Sequence, residues 1–171
     1  VEGMPGTGKT VLAIYLLKTL RDDPHYKDMN IRIVEPVTSL RNTLRKSLAN
    51  VSGLDPSDII APTDLVKAAM GYQPGKGKCF DILLVDESHK LKRRVNLGTQ
   101  FKNYDDVNRE LGLPEQATQM DWILKLVKLP IFFYDPLQSI GPSCLGRDAM
   151  KRALGKAADN PIKLESQMRV R

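Results

Sequence analysis

Cysteine and histidine are scarce in this chain of 171 residues, with two of each. Cys79 and Cys144 lie far apart, and with only His25 and His89 beside them they do not reproduce the spacing of a zinc site or a disulfide framework. A reduced, cytoplasmic protein is the expectation. Long apolar runs are also missing. The longest, such as Ile82 to Val85 and Ile131 to Tyr134, fall far short of the roughly 18 residues that suggest a membrane helix. Aromatics make up 6% of the chain, so base-stacking platforms are few. What is present is ordinary globular material: 42% hydrophobic and 27% charged residues rule against disorder, and the length suits one domain. Net charge is +6 (26 basic less 20 acidic residues), compatible with a polyanionic partner without requiring one.

Helical and strand-like stretches alternate, which predicts an α/β fold with a mostly parallel sheet and helices on both faces, a three-layer αβα arrangement. Helices are predicted over Thr10–Leu20, Ser39–Ala49, Thr63–Met70, Asp105–Leu111, Ala117–Lys128 and Asp148–Ala158 from recurrent apolar positions such as Leu40, Leu44 and Leu48. Strands are predicted over Ile31–Val37, Phe80–Val85, Ile131–Asp135 and from Ile162 to Leu164. The loop from Gly71 to Lys78 leads into the second of these. Residues 89–118 read as an irregular basic insertion. Trp122 and Tyr15, each on a helix among apolar neighbours, are expected in the core.

Four pieces carry chemistry. Gly3-Met4-Pro5-Gly6-Thr7-Gly8-Lys9-Thr10 fits G-x-x-x-x-G-K-[ST], the Walker A phosphate loop, and runs directly into a helix. Its glycines let backbone N–H groups converge on phosphate oxygens at a helix start. Gly3, Pro5, Gly6, Thr7, Gly8, Lys9 and Thr10 therefore form the expected nucleotide cradle, with Lys9 reaching the β- and γ-phosphates and the Thr10 hydroxyl serving Mg²⁺. Asp81-Ile82-Leu83-Leu84-Val85-Asp86-Glu87 supplies the acidic partner, a Walker B pattern. Asp86 is the expected metal carboxylate, and Glu87 the group that takes a proton from attacking water or orients it. Asp135-Pro136-Leu137-Gln138 follows a third strand. It reads either as a plain turn or as a way to bring the Gln138 amide to the γ-phosphate. In Leu164-Glu165-Ser166-Gln167-Met168-Arg169, Arg169 is either solvated or a stabiliser of the transferring phosphoryl group.

The order of these pieces, together with Pro36-Val37-Thr38-Ser39 after the first predicted strand, resembles the first, RecA-like motor domain of superfamily 1 helicases. Val85-Asp86-Glu87-Ser88-His89-Lys90-Leu91 and Phe133-Tyr134-Asp135-Pro136-Leu137-Gln138-Ser139 look most like the bacterial ATPase family related to the Schlafen DNA/RNA helicase-like domain. The resemblance spans nearly the whole chain. It implies Mg²⁺-dependent ATP hydrolysis with Lys9, Glu87, Gln138 and Arg169 as catalytic groups. It also implies that Gln138 couples nucleotide state to a DNA or RNA track, and that Thr38, Ser39 and Arg41 grip a nucleic-acid backbone. For those three the alternative is helix capping and a solvated arginine.

Departures accompany the matches. His89 stands where superfamily 1 usually has Gln, and it is read either as a hydrogen-bond partner of Gln138 or of the γ-phosphate, or as a loop histidine without such a role. The chain opens on Val1, just ahead of the cradle, so the expectation is an excerpt of a longer protein with a second motor domain beyond Arg171. Such an excerpt is expected to be weakly active or inactive alone. Lys90, Lys92, Arg93 and Arg94 form a basic run that is either a solvated loop or a nucleic-acid path, Lys92, Arg93 and Arg94 being its candidate contacts. Two further readings share the phosphate loop. One is a nucleotide-sensing regulatory or defence switch without translocation. The other is a small-molecule phosphotransferase, which has no need of Glu87 beside Asp86.

Overall fold

The computed structural model describes residues 1–69, 77–138 and 141–166. In chain order the elements are β1 (Glu2–Gly3), α1 (Lys9–Asp22), β2 (Ile31–Val34), α2 (Thr38–Leu48), β3 (Ile59–Ile60) and α3 (Leu65–Ala68). They continue with β4 (Phe80–Val85), α4 (Phe101–Glu110), α5 (Gln119–Leu126), β5 (Val127–Phe132), α6 (Arg147–Leu154) and β6 (Lys163–Leu164). Four strands form a parallel sheet in the order β3-β2-β4-β5, and β1 pairs in parallel with β6. The two units meet where the chain leaves β5. There Gly3 donates its N–H to the Tyr134 carbonyl at 3.1 Å, and Tyr134 donates to the Val1 carbonyl at 2.9 Å.

Period-two alternation explains why helices cover both faces. Along β4, Leu83 and Val85 join a core cluster with residues of α3, α4, α5 and α6, whereas Ile82 and Leu84 join a second cluster with Ala13, Leu17, Leu44 and Leu48 of α1 and α2. Leu83, Leu84 and Val85 are fully buried. Truncating one of these leucines to Ala is worth about 2–5 kcal/mol. Parallel strands all present their carboxyl ends on one edge, which is where open α/β sheets collect ligand-binding residues.

Several boundaries differ from expectation for local reasons. β2 ends at Val34: the Glu35 N–H still donates to the Ile60 carbonyl of the unpredicted short strand β3, but Pro36 has no N–H with which to extend the ladder. The predicted helix over Ala117–Lys128 is shorter: a capping box between Thr118 and Asp121 starts α5, and the chain is extended from Val127. β5 therefore begins earlier than predicted and runs through Pro130. The helix predicted over Thr63–Met70 is a 3₁₀ turn, Pro62–Asp64, followed by the single turn α3, and Met70 lies outside the described residues. Residues 89–118 contribute Leu91, Leu97, Tyr104, Val107 and Leu111 to the larger core cluster, and their helix, α4, begins four residues before the predicted one. Trp122 is fully buried, as expected, but Tyr15 is 69% exposed. It lies on the solvent side of α1, opposite Ala13 and Leu17.

Candidate nucleotide site

The glycine-rich loop joins β1 to α1. Gly6 and Gly8 adopt φ of 85° and 83°, in the left-handed region where a side chain is strained. Gly3 is fixed by space, since a Cβ there would come within 2.5 Å of the Thr7 hydroxyl. That hydroxyl donates to the Met4 carbonyl at 2.8 Å and braces the loop. No side chain caps α1, so the N–H groups of its first turn stay directed into the loop. The buried Lys9 ammonium donates to the carbonyls of Gly3 (2.7 Å) and Met4 (3.0 Å), and lies 3.5 Å from Asp135 Oδ2.

Three neighbouring strands each end in a buried carboxylate: Glu35 after β2, Asp86 after β4 and Asp135 beyond β5. Asp86 Oδ1 accepts the Glu87 N–H at 2.9 Å, whereas Oδ2 is buried without a hydrogen bond among the described residues. Burial pushes the Asp86 carboxyl above its ordinary range, countered by the Thr10 hydroxyl and the Glu87 N–H. A hard divalent cation suits this arrangement. An orphaned carboxylate oxygen beside a hydroxyl offers oxygen ligands only, and the described residues contain no group of three or more His, Cys, Asp or Glu that would form an all-protein cage. Mg²⁺ is held in that manner, by one or two protein oxygens together with phosphate and water.

Glu87 follows with φ 44°, a left-handed backbone that costs a non-glycine residue about 1 kcal/mol or more. Its Oε2 is 3.0 Å from His89 Nε2, and this partner holds the Glu87 carboxyl below its ordinary range. The same Nε2 lies 2.8 Å from Gln138 Oε1. His89 is fully buried and meets Tyr134 edge-on, with ring centroids 6.0 Å apart. A continuous path of contacts thus runs from Glu87 through His89 to Gln138. The adjoining Asp135, whose Oδ1 accepts the Leu137 N–H, closes the path on Lys9.

Two members escape sequence reasoning. In the sequence Asp135 reads only as part of a turn, and Glu35 does not stand out. Both carry a usable signal, an acid directly after an apolar strand in a parallel sheet, the same signal that marks Asp86. Glu35 Oε1 accepts the Val37 N–H at 2.7 Å, while Oε2 is buried and unpartnered among the described residues. Burial, reinforced by the nearby Asp86 and Glu87, pushes its pKa up to about 8 against the Val37 N–H and Arg41.

The expected nucleic-acid contacts are dispersed. Thr38 and Ser39 open α2, but the residue before the helix is Val37, and no side chain caps it. Arg41 reaches back to the Glu35 carbonyl (2.7 Å) and the Thr38 hydroxyl (3.2 Å). In the basic run, Lys92 meets Gln100 and Arg93 meets the Pro142 carbonyl. Arg94 pairs with Asp105 and Glu115 and lies 5.2 Å over the Phe101 ring. Arg169 lies outside the described residues. An apolar cavity of about 370 Å³, bordered by Phe132, Tyr134, Met150 and Leu154, touches the site at Tyr134, whose ring also meets His89. Among the described residues no helix is long and apolar enough to cross a membrane.

The family described as "Schlafen group 3, DNA/RNA helicase domain" matches residues 1–171. No curated protein and no solved structure matches the chain.

Proposed function

The chain belongs to the Schlafen group 3 DNA/RNA helicase-domain family, and from that premise we propose that it binds ATP with Mg²⁺ in the glycine loop and hydrolyses it, as a RecA-like, superfamily 1-type motor domain acting on DNA or RNA. The observation that carries this reading is the contact path between the phosphate loop and the acidic doublet: Lys9 to Asp135 at 3.5 Å, Gln138 to His89 at 2.8 Å, and His89 to Glu87 at 3.0 Å. Groups that would have to surround one triphosphate follow β1 of the two-stranded unit and β4 and β5 of the four-stranded sheet, and they come together through the Lys9–Asp135 contact.

In this reading Gly6, Gly8 and the uncapped start of α1 seat the phosphates through N–H groups, and Lys9 exchanges its carbonyl partners for phosphate oxygens. Asp86 and Thr10 hold Mg²⁺, which when bound offsets charge on the phosphate oxygens. Glu87 accepts the proton lost by water as the terminal phosphoanhydride bond breaks to give ADP and phosphate. Gln138 orients that water, and His89 fixes both Glu87 and Gln138. Thr38, Ser39 and Arg41, with Lys92 and Arg93, remain proposed contacts for a nucleic-acid backbone. Arg169 and a second motor domain complete this reading as proposals, as does a cytoplasmic location.

Phosphate release from ATP, measured with and without single-stranded DNA or RNA, tests the proposal. Turnover is expected in the wild type when the proposed second motor domain is present, with Glu87→Gln reducing it to background while nucleotide still binds. Ordinary stimulated turnover by Glu87→Gln would remove Glu87 from its role. Nucleotide binding without hydrolysis or movement would instead favour a nucleotide-sensing switch.

A further inference from the structure

Glu35 has no part in the reaction as described, yet it is the point where two regions of the site are joined. It follows β2 directly. Because Val34 is in register with Val85, it stands beside Asp86 on the adjacent strand, and the Asp86 N–H is held by the Val34 carbonyl at 3.0 Å. Toward α2 it makes two connections. Its Oε1 accepts the Val37 N–H at 2.7 Å, fixing the residue that precedes the helix. Its main-chain carbonyl accepts Arg41 Nη1 at 2.7 Å, and the same guanidinium reaches the Thr38 hydroxyl. Its own N–H is held by Ile60 of β3.

The remaining atom is Oε2, on a residue with no exposure to solvent, and it has no hydrogen-bond partner among the described residues. A buried polar oxygen without a partner is destabilising, and a glutamine or an apolar residue would avoid a carboxylate's share of that penalty. Asp86 and Glu87 are the acids whose charge it feels, and Arg41 is the opposing cation. One carboxyl therefore touches the start of α2 and sits within electrostatic reach of the acidic doublet.

We propose that Glu35 is a positioning residue that couples the start of α2, where Thr38, Ser39 and Arg41 would meet a nucleic-acid backbone, to the Asp86–Glu87 pair. The inference rests on the nucleotide and nucleic-acid sites proposed above. A shift of α2's first turn on engaging a polyanion pulls on the Val37 and Arg41 contacts and hence moves the Glu35 carboxyl relative to Asp86 and Glu87 on the adjacent strand. By linkage, nucleotide bound at Asp86 must alter nucleic-acid affinity by the same factor.

The test is a coupling measurement. Affinities for labelled oligo-dT and oligo-U are measured with and without Mg²⁺ and AMP-PNP, and the ratio is the coupling factor. For the wild type a ratio in the range of about 5 to 150 is expected for at least one of the two probes. Glu35→Ala should reduce it below about two-fold. Glu35→Asp, one methylene shorter, draws the carboxyl back from the Val37 N–H and from the acidic pair; it keeps a folded alternative if the alanine variant does not fold, and it too should lose most of the coupling. Glu35→Gln keeps both positions filled and should retain most of it. A purely structural role would lower stability without moving the ratio. An unchanged ratio in Glu35→Ala or Glu35→Asp, or a wild type that binds both ligands independently, overturns the coupling role alone. A wild type that binds no nucleotide overturns the functional reading beneath it as well.

Discussion

Lys9 Nζ lies 3.5 Å from Asp135 Oδ2 in the interior, joining the phosphate loop to the chain segment that carries Gln138. Both side chains are at most 5% exposed, so removal of one leaves the other as an uncompensated buried charge. Lys9→Met should cost about 3 kcal/mol, lowering Tm by about 6–12 °C. Asp135→Asn should also destabilise, by less, because the Gly3 and Met4 carbonyls still hold the ammonium. The double variant should recover much of the Lys9→Met loss, and a double-mutant cycle by thermal melting measures the coupling. Strict additivity would mean that the pair is not energetically connected.

His89 Nε2 serves two acceptors, Glu87 and Gln138, and fixes both. His89→Ala should lower kcat about 10²-fold through misplacement of the two groups proposed to handle water. The Lys9 loop is untouched, so KM for ATP should change little. His89→Gln, which keeps a donor, should restore part of the rate. Steady-state kinetics of the three proteins separate these outcomes, and a loss confined to KM would place His89 in binding instead.

Glu35 makes stability depend on pH with a definite sign. Its pKa is raised from 4.5 to about 8 in the folded protein, so between these values the folded state holds more protons than the unfolded one. The contribution is fully present below about pH 4.5 and is lost as pH rises through about 8. The slope reaches at most about 1.4 kcal/mol per pH unit. Urea unfolding in nucleotide-free buffer containing a chelator, compared between wild type and Glu35→Gln across pH 5 to 8, should show a steeper fall in stability with pH in the wild type than in the variant.

Within the basic run, Arg94 differs from its neighbours. It pairs with two acids and lies over an aromatic ring, whereas among the described residues the side chains of Lys92 and Arg93 meet neutral oxygens. Arg94→Ala should lower Tm with little effect on nucleic-acid affinity. Lys92→Ala and Arg93→Ala should leave Tm nearly unchanged and weaken oligonucleotide binding. Each should also reduce the salt dependence of binding by about one unit of slope for every phosphate that is no longer neutralised. Titrations at several salt concentrations check this.

The glycine-rich loop ahead of α1, the acidic doublet and β4 are legible in the sequence because each is a local pattern: glycines at fixed offsets, or an apolar run ending in acids. What escapes depends on partners distant in sequence. β3 is two residues long and exists because Glu35 and Val34 lie beside it. The early start of β5 is hidden because Val127 and Leu129 also continue a helical spacing, and only pairing with β4 selects the extended form. Tyr15 is misplaced by sequence reasoning because the apolar neighbours that surround it along the chain lie on the other side of α1. Glu35 and Asp135 acquire significance only when parallel strands bring their carboxyl ends together.

The most direct test of the central claim is calorimetric titration of Mg²⁺–ATPγS into wild type and Lys9→Ala, with the emission of the single, buried Trp122 as the check on folding. Saturable, Mg²⁺-dependent binding in the wild type and its loss in a folded Lys9→Ala protein are the predicted result. No binding by the wild type, or equal binding by a folded Lys9→Ala protein, would contradict the assignment of this loop as the seat of the triphosphate.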